Sequence, residues 1–252
     1  MPWIRRRIAP CCALGAALLA APACGENPDA LRQIVEDQCL VHWSERHDPA
    51  PCVRVELGSP PRAESGFALL HDRKGGAHFL LIPTRIISGI ESADLAAPGA
   101  PNYLASAWQA REQLASVVGH AIPRNAIGLA VNPRHARSQN QLHIHIECLR
   151  RDLIEALARQ QAGHPGEAWW PLRLGAFTLE ARAIRGAELE GLNPFALLDE
   201  RIGEEHGALG EYTLVLAGIE SADGPGFILL TSATLAGELL LDSSCAAAGA
   251  PS

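Results

Sequence analysis

The sequence has no broad excess of basic residues: 21 Lys and Arg stand against 28 Asp and Glu, for a net charge of −7. A general nucleic-acid binder is therefore excluded, because its affinity rests on many cations neutralising phosphates; a local pocket for one phosphorylated ligand is not. No low-complexity run and no internal repeat is legible in the residues, and nothing marks a flexible linker. A long uninterrupted apolar run is also missing. The one long apolar run, "IAPCCALGAALLAAPAC", is short and interrupted by Pro10 and Pro22, whereas a span needs ~20 apolar residues. That run follows Arg5, Arg6 and Arg7 and ends at Ala21-Pro22-Ala23, the layout of an export signal. Residues 1–25 are thus expected to be a signal peptide or N-terminal membrane anchor, and 26–252 one compact domain. Cys24 suggests a lipoprotein, but Ala21 stands where a leucine is usual.

Export changes how the cysteines are read. Beyond Cys11, Cys12 and Cys24, four remain, Cys39, Cys52, Cys148 and Cys245, an even number for an oxidising compartment. Four cysteines allow three pairings. Cys39–Cys52 would close a short loop around "HDPAPC", and Cys148–Cys245 would tie the tail to a central strand; buried free thiols are the alternative.

"NPDALRQIVEDQCLVHW" reads as a short amphipathic helix capped by Asp29 or Asn27. "GFALLHD" and "HFLLIPT", split by a Gly-containing turn, read as a β-hairpin. "NYLASAWQAREQLASVVGH" has one apolar side and predicts a helix of about five turns. "AIGLAVNP" and "QLHIHIECL" are strands, and "RDLIEALARQQAG" is a helix. In the last third, "LGAFTLEARAI", "EYTLVLAGI" and "GFILLTS" are strands. "NPFALLDERIGEEHG" is a helix with Asn193 as cap and Pro194 in its first position. The fold class is α+β with an antiparallel sheet.

Chemistry concentrates in "SQNQLHIHIECL". Strand alternation puts Leu142, Ile144, Ile146 and Cys148 on one face, with Gln141, His143, His145 and Glu147 on the other. Upstream, "NPRHARSQN" supplies the donors Asn132, Arg134, Arg137, Gln139 and Asn140. Paired histidines behind a loop of donors suit an anion site, where the loop grips phosphate oxygens and a neutral imidazole attacks or moves a proton. His-x-His is also a two-ligand metal spacing. Glu147 shares its face, but His42, His47, His71, His78, His120 and His135 are scattered and no further ligand stands out, so no metal is expected. The plainest alternative is a solvated face of an edge strand.

Asn132, Gln139, His143 and His145 fall in the register of the histidine-triad superfamily of nucleotidyl hydrolases and transferases, which the sequence resembles. "HFLLIPTRIISGIES" is similar to that superfamily's preceding strand and turn. Two departures stand out: Glu147 occupies the third histidine position, and Ile86 replaces the histidine usual after the IP strand. The leader, "CLVHW…PC", "LIPTRIISGIES", "NYLASAWQAR", "SQNQLHIHIECLR", "NPFALLDE" and the final Cys more narrowly resemble the CDP-diacylglycerol pyrophosphatase family, across nearly the whole mature chain.

The resemblance implies hydrolysis of CDP-diacylglycerol to CMP and phosphatidate at the periplasmic face of the inner membrane or in the periplasm. His145 would attack phosphorus to form a cytidylyl-imidazole and His143 would orient the site; a register shifted by two exchanges them. Asn132, Gln139 and Asn140 would hold phosphate oxygens, with Arg137, Arg134 or Arg85 neutralising the pyrophosphate. Glu147 would orient His145 or protonate the leaving group. The resemblance brings no cofactor and leaves divalent-metal dependence open. It implies a histidine-triad-like central antiparallel sheet, with room in the C-terminal third for a second, degenerate half; a homodimer is the superfamily's usual alternative. Two other functions share these residues: nucleotidyl transfer to an acceptor, and binding of a nucleotide or lipid without turnover. Trp108 reads as core, and Trp169-Trp170 as either a membrane-interface pair or a core contact.

Overall fold

The computed structural model describes residues 27–58, 63–73, 75–164, 167–204 and 207–249; the expected leader lies outside them. After helix α1 (Ala30–Ile34), a π-helical turn (Val35–Cys39) and α2 (Leu40–Arg46) come strands β1 (Arg54–Glu56), β2 (Phe67–His71) and β3 (Phe79–Pro83). Helices α3 (Tyr103–Ala110) and α4 (Gln113–Val118) lead to β4 (Ile127–Val131), β5 (Ile144–Leu149) and α5 (Arg151–Gln160). The last third holds β6 (Trp170–Leu174), β7 (Phe177–Arg185), α6 (Pro194–Glu204), β8 (Thr213–Ser221), β9 (Gly224–Ser232) and β10 (Leu241–Asp242).

The strands form one antiparallel sheet in the order β1-β2-β3-β5-β4-β8-β9-β7-β6, with β10 alongside β5. The order contains a repeat. β2-β3-β5-β4 and β6-β7-β9-β8 each run first, second, fourth, third, and the halves join through their third strands, Gly128–Val131 against Leu214–Ala217. The second, degenerate half is therefore present in the topology. Its fourth strand, β9, carries Phe227, Ile228, Leu229 and Leu230 and no histidine.

On one face, Ile144 and Ile146 of β5 pack with Leu104 and Trp108 of α3, Leu114 of α4, and Phe195, Leu198 and Ile202 of α6. On the other, α5 covers the second half with Leu153, Ala156 and Leu157, while Val35 and Cys39 pack on Ala68, Leu70, Leu80 and Ile82. Each such fully buried aliphatic contributes roughly 1.5–3 kcal/mol. Among the described residues no helix is long and apolar enough to cross a membrane.

Local chemistry explains where elements begin and break. Asn193 caps α6 as expected, its Oδ1 accepting from Phe195 N at 3.1 Å. The expected five-turn helix is instead two helices. The Arg111 guanidinium lies 4.3 Å over the Trp108 ring and donates to the Trp108 carbonyl, which also takes the Arg111 N–H at 3.3 Å. That carbonyl is thus drawn away from an ordinary i→i+4 bond. Trp108 is fully buried and meets Phe227 edge-on, so it is core. Trp170 is buried too, its ring stacked on His164 at 4.3 Å, which removes it from any exposed aromatic pair. The chain forms both expected disulfides, Cys39–Cys52 and Cys148–Cys245. The second stands where Asp242 of β10 pairs with Cys148 of β5.

Candidate active site

β5 is not an edge strand. It lies between β3 and β4, every one of its six residues is buried, and the face carrying His145 and Glu147 is enclosed instead of solvated. That face forms the floor of a cleft of about 860 Å³ between the start of α1, the β2–β3 turn, the loop before β5 and Glu238.

Strand pairing delivers a residue that the sequence pattern did not single out. Phe79 pairs with Ile146, so His78, one step earlier, stands beside Glu147. His78 Nε2 shares a hydrogen bond with His145 Nδ1 at 3.0 Å and lies 3.3 Å from Glu147 Oε1. Its other nitrogen is 3.4 Å from Asp72 Oδ2. The available signal was the histidine opening "HFLLIP", but its partner lies 67 residues away. Burial, helped by the nearby Glu238, Asp242 and Asp72 carboxylates, pushes Glu147 up to about 8. A carboxyl raised that far is mostly protonated at neutral pH.

His143 is held differently. Its Nδ1 lies 2.8 Å from the Gln141 carbonyl. A carbonyl only accepts, so Nδ1 carries the proton and Nε2 keeps its lone pair in the neutral ring. Desolvation lowers the His143 pKa and so favours that neutral form. Gln141 is itself pinned, donating from Nε2 to the carbonyls of Pro83 at 3.0 Å and Arg85 at 2.9 Å. The rings of His143 and His145 are 5.1 Å apart, and His145 Nε2 lies 3.6 Å from Glu238 Oε2.

Asn132 is buried at the cleft wall, where its Oδ1 accepts from Glu238 N at 3.2 Å. The residue lines the cleft. Gly237 makes this contact possible, because a Cβ there would fall 2.4 Å from Thr213 Oγ1. Gln139 and Arg137 also line the cleft, each with a partner from the protein. The Gln139 Oε1 accepts from Leu31 N and its Nε2 donates to the Asn27 carbonyl, both at 3.0 Å, latching the N-terminal helix. The Arg137 guanidinium forms a two-pronged pair with Glu91, one arm at 2.7 Å. Burial pushes Glu91 upward, but that pairing prevails and holds its carboxyl at about 2. Asn140 is exposed off the cleft, with its backbone N–H donating to the Pro28 carbonyl. Arg85 pairs with Asp94.

His78, His145 and Glu147 are also the described group able to hold a metal ion, with ligand atoms within 4.8 Å of one another. The group takes only His145 from the His-x-His pair and adds His78, the residue just before β3.

The chain can now be set beside known proteins. Its fold resembles that in the crystal structure of yeast Ap4A phosphorylase Apa2, with a TM-score of 0.41, 14% identity, and coverage of 80% of this chain and 78% of that one; the likeness is too distant to inform the site. A CDP-diacylglycerol pyrophosphatase of Yersinia pestis is 39% identical over 208 residues, 82% of this chain and 77% of the relative. The family model described as CDP-diacylglycerol pyrophosphatase matches residues 26–249. With that model covering nearly all of the described residues, the chain belongs to the CDP-diacylglycerol pyrophosphatase family and is a hydrolase acting on a pyrophosphate bond.

Proposed function

We propose that the protein hydrolyses CDP-diacylglycerol to CMP and phosphatidate through a cytidylyl-histidine intermediate, with His143 as the attacking residue. The observation that carries this reading is the Nδ1–H bond from His143 to the Gln141 carbonyl, which fixes the tautomer with its lone pair on Nε2. Nε2 attacks the phosphorus bearing cytidine, and the P–O bond to phosphatidate breaks. Asn132 donates to a phosphate oxygen. The His78–His145–Glu147 cluster supplies the proton that neutralises the departing phosphatidate oxygen. Water then cleaves the P–N bond, releasing CMP and restoring the imidazole.

The bond between His78 and His145 Nδ1 favours a second assignment, in which His145 attacks and His143 positions it. A single-turnover reaction with label in the cytidine-side phosphate, quenched in alkali, separates the two. Acid-labile label should appear on wild type and on His145→Ala, and be absent from His143→Ala. The reverse pattern moves the nucleophile to His145. Wild type that binds the lipid but releases no CMP would sink the hydrolase reading in favour of a binding protein. Nucleotidyl esters formed on adding alcohols would show a transferase.

The protein acts outside the cytoplasm on substrate drawn from the membrane surface. Its two disulfides support an oxidising compartment, and the apolar N-terminal run supports export. The duplicated half, packed through β4 and β8, supports function without a partner chain.

A further inference from the structure

His78 and His145 line the cleft, and Glu147 lies against both. His78 Nε2, His145 Nδ1 and Glu147 Oε1 are separated by 3.0, 3.3 and 3.8 Å. Atoms bound about 2.1 Å from a single cation stand roughly 3–3.5 Å apart, so the spacing is close to that of a ligand set. The atoms beyond it are a second, independent observation. Metal-bound histidines generally give their other N–H to a carboxylate, which fixes the ring and its tautomer. Here His78 presents its remaining nitrogen to Asp72 at 3.4 Å and His145 presents its own to Glu238 at 3.6 Å. Each ring thus has a carboxylate from another segment facing its far nitrogen, at ion-pair and not hydrogen-bond distance for His145. The local field agrees, because Glu147 sits among Asp72, Asp242 and Glu238. The nearby Arg137 already has its carboxylate in Glu91.

We propose that His78, His145 and Glu147 bind one divalent transition-metal ion, Zn²⁺ by ligand preference, with its open side toward the cleft. Two imidazoles and one carboxylate favour zinc over magnesium or calcium, which prefer all-oxygen sets. Three protein donors leave a coordination position for a phosphate oxygen of the substrate. This last clause rests on the hydrolase reading above. There the ion takes over, as positive charge, the work assigned to the cluster's proton.

The untagged chain, stripped with chelator and shown to be folded by circular dichroism, is titrated with Zn²⁺ and separately with Mg²⁺ by calorimetry. Bound metal is counted by elemental analysis, and X-ray absorption at the zinc edge reports the ligands. The expected result is one saturable Zn²⁺ per chain, weak or absent Mg²⁺ binding, and a first shell of two imidazoles with a carboxylate. His78→Ala and Glu147→Gln should each weaken zinc binding by about 100-fold or more, and Asp72→Asn by roughly 10–100-fold. No saturable zinc binding by folded wild type overturns the proposal, as does zinc held equally well by the ligand variants. If those variants do not fold, the absorption spectrum of wild type decides alone, and a shell without two imidazoles overturns it. CMP release from the same preparations keeps the two readings apart. Zinc bound as described without CMP would sink the hydrolase reading and leave the metal site standing. Full CMP release from protein that binds no zinc would do the opposite.

Discussion

The two halves of the sheet share a strand order and differ in what lines it. In the first, Leu80 of β3 pairs with His145 of β5, beside a polar cleft of about 860 Å³. In the second, Ala183 of β7 pairs with Ile228 of β9, beside a hollow of about 650 Å³ whose lining mixes Ile219 and Ile228 with His164, Glu167, Arg185 and Glu220. The scaffold therefore makes a depression in both halves. The first becomes a candidate site because His78, His143 and His145 line it with Glu147 against His78, and because α1 and the turn at Glu238 wall it in. In the second half α5 covers the same face with Leu153 and Leu157. One half carries chemistry, and the other supplies a β4–β8 seam and a shared core.

The sharpest way to break this comparison is to truncate one residue in each half. His145→Ala should lower kcat by about 10²–10⁴-fold, the range for losing a group that moves protons or positions the nucleophile. Ile228→Ala should cost about 2–5 kcal/mol of stability through its cavity, with kcat per folded molecule within about twofold because distant sites act independently. Denaturant unfolding and CMP release on both variants give the answer. A tenfold fall in kcat for fully folded Ile228→Ala would show that the second half shapes the site directly.

Much of the first half was legible because its signals are local. The β2–β3 hairpin follows from two apolar runs around Gly75-Gly76, α6 from Asn193 and Pro194, and the facing of His145 and Glu147 from strand parity. What the sequence hid is tertiary. His78 reaches Glu147 only once β3 has paired with β5, and Glu238 meets Asn132 only through the close approach at Gly237. Gln139 and Arg137 do line the cleft, but their bonds to Leu31 and Glu91 are contacts over long sequence separations that no local pattern shows. The second half was expected only through the family resemblance, because the repeat survives in strand order while its residues have diverged. The short strands β1 and β10 carry too few residues for a periodicity.

A second contrast concerns the disulfides. Cys148–Cys245 spans 97 residues and ties the tail to the strand beneath the site, whereas Cys39–Cys52 spans 13 and holds only the N-terminal helices. Loop-closure entropy assigns them about 4.7 and about 3 kcal/mol respectively, and measured costs of removing such a bond run about 2–5 kcal/mol. The double variant Cys148→Ala/Cys245→Ala should be the less stable of the pair and the one that loses activity before global unfolding, since β10 flanks β5. Equal midpoints in denaturant, with activity lost in parallel, would remove the distinction.

The smallest expected effects come from one ion pair in each half. Glu91–Arg137 closes the loop beside the cleft, and Glu180–Arg201 joins β7 to α6 at the surface. Because the Glu91 pKa is depressed from 4.5 to about 2, its stabilisation is fully present above the unfolded value and is lost as pH falls through about 4.5 to 2. Allowing for solvent screening, this amounts to about 1–2 kcal/mol. Glu91→Gln should therefore lower stability at pH 7 by that amount and by almost nothing near pH 2. Glu180→Gln, on a half-exposed carboxylate, should cost less than about 1 kcal/mol at pH 7. Urea unfolding of the three proteins across that pH range measures both. If Glu91→Gln retains wild-type stability at pH 7, the pair does not hold the loop, and Arg137 returns as a candidate ligand for the pyrophosphate.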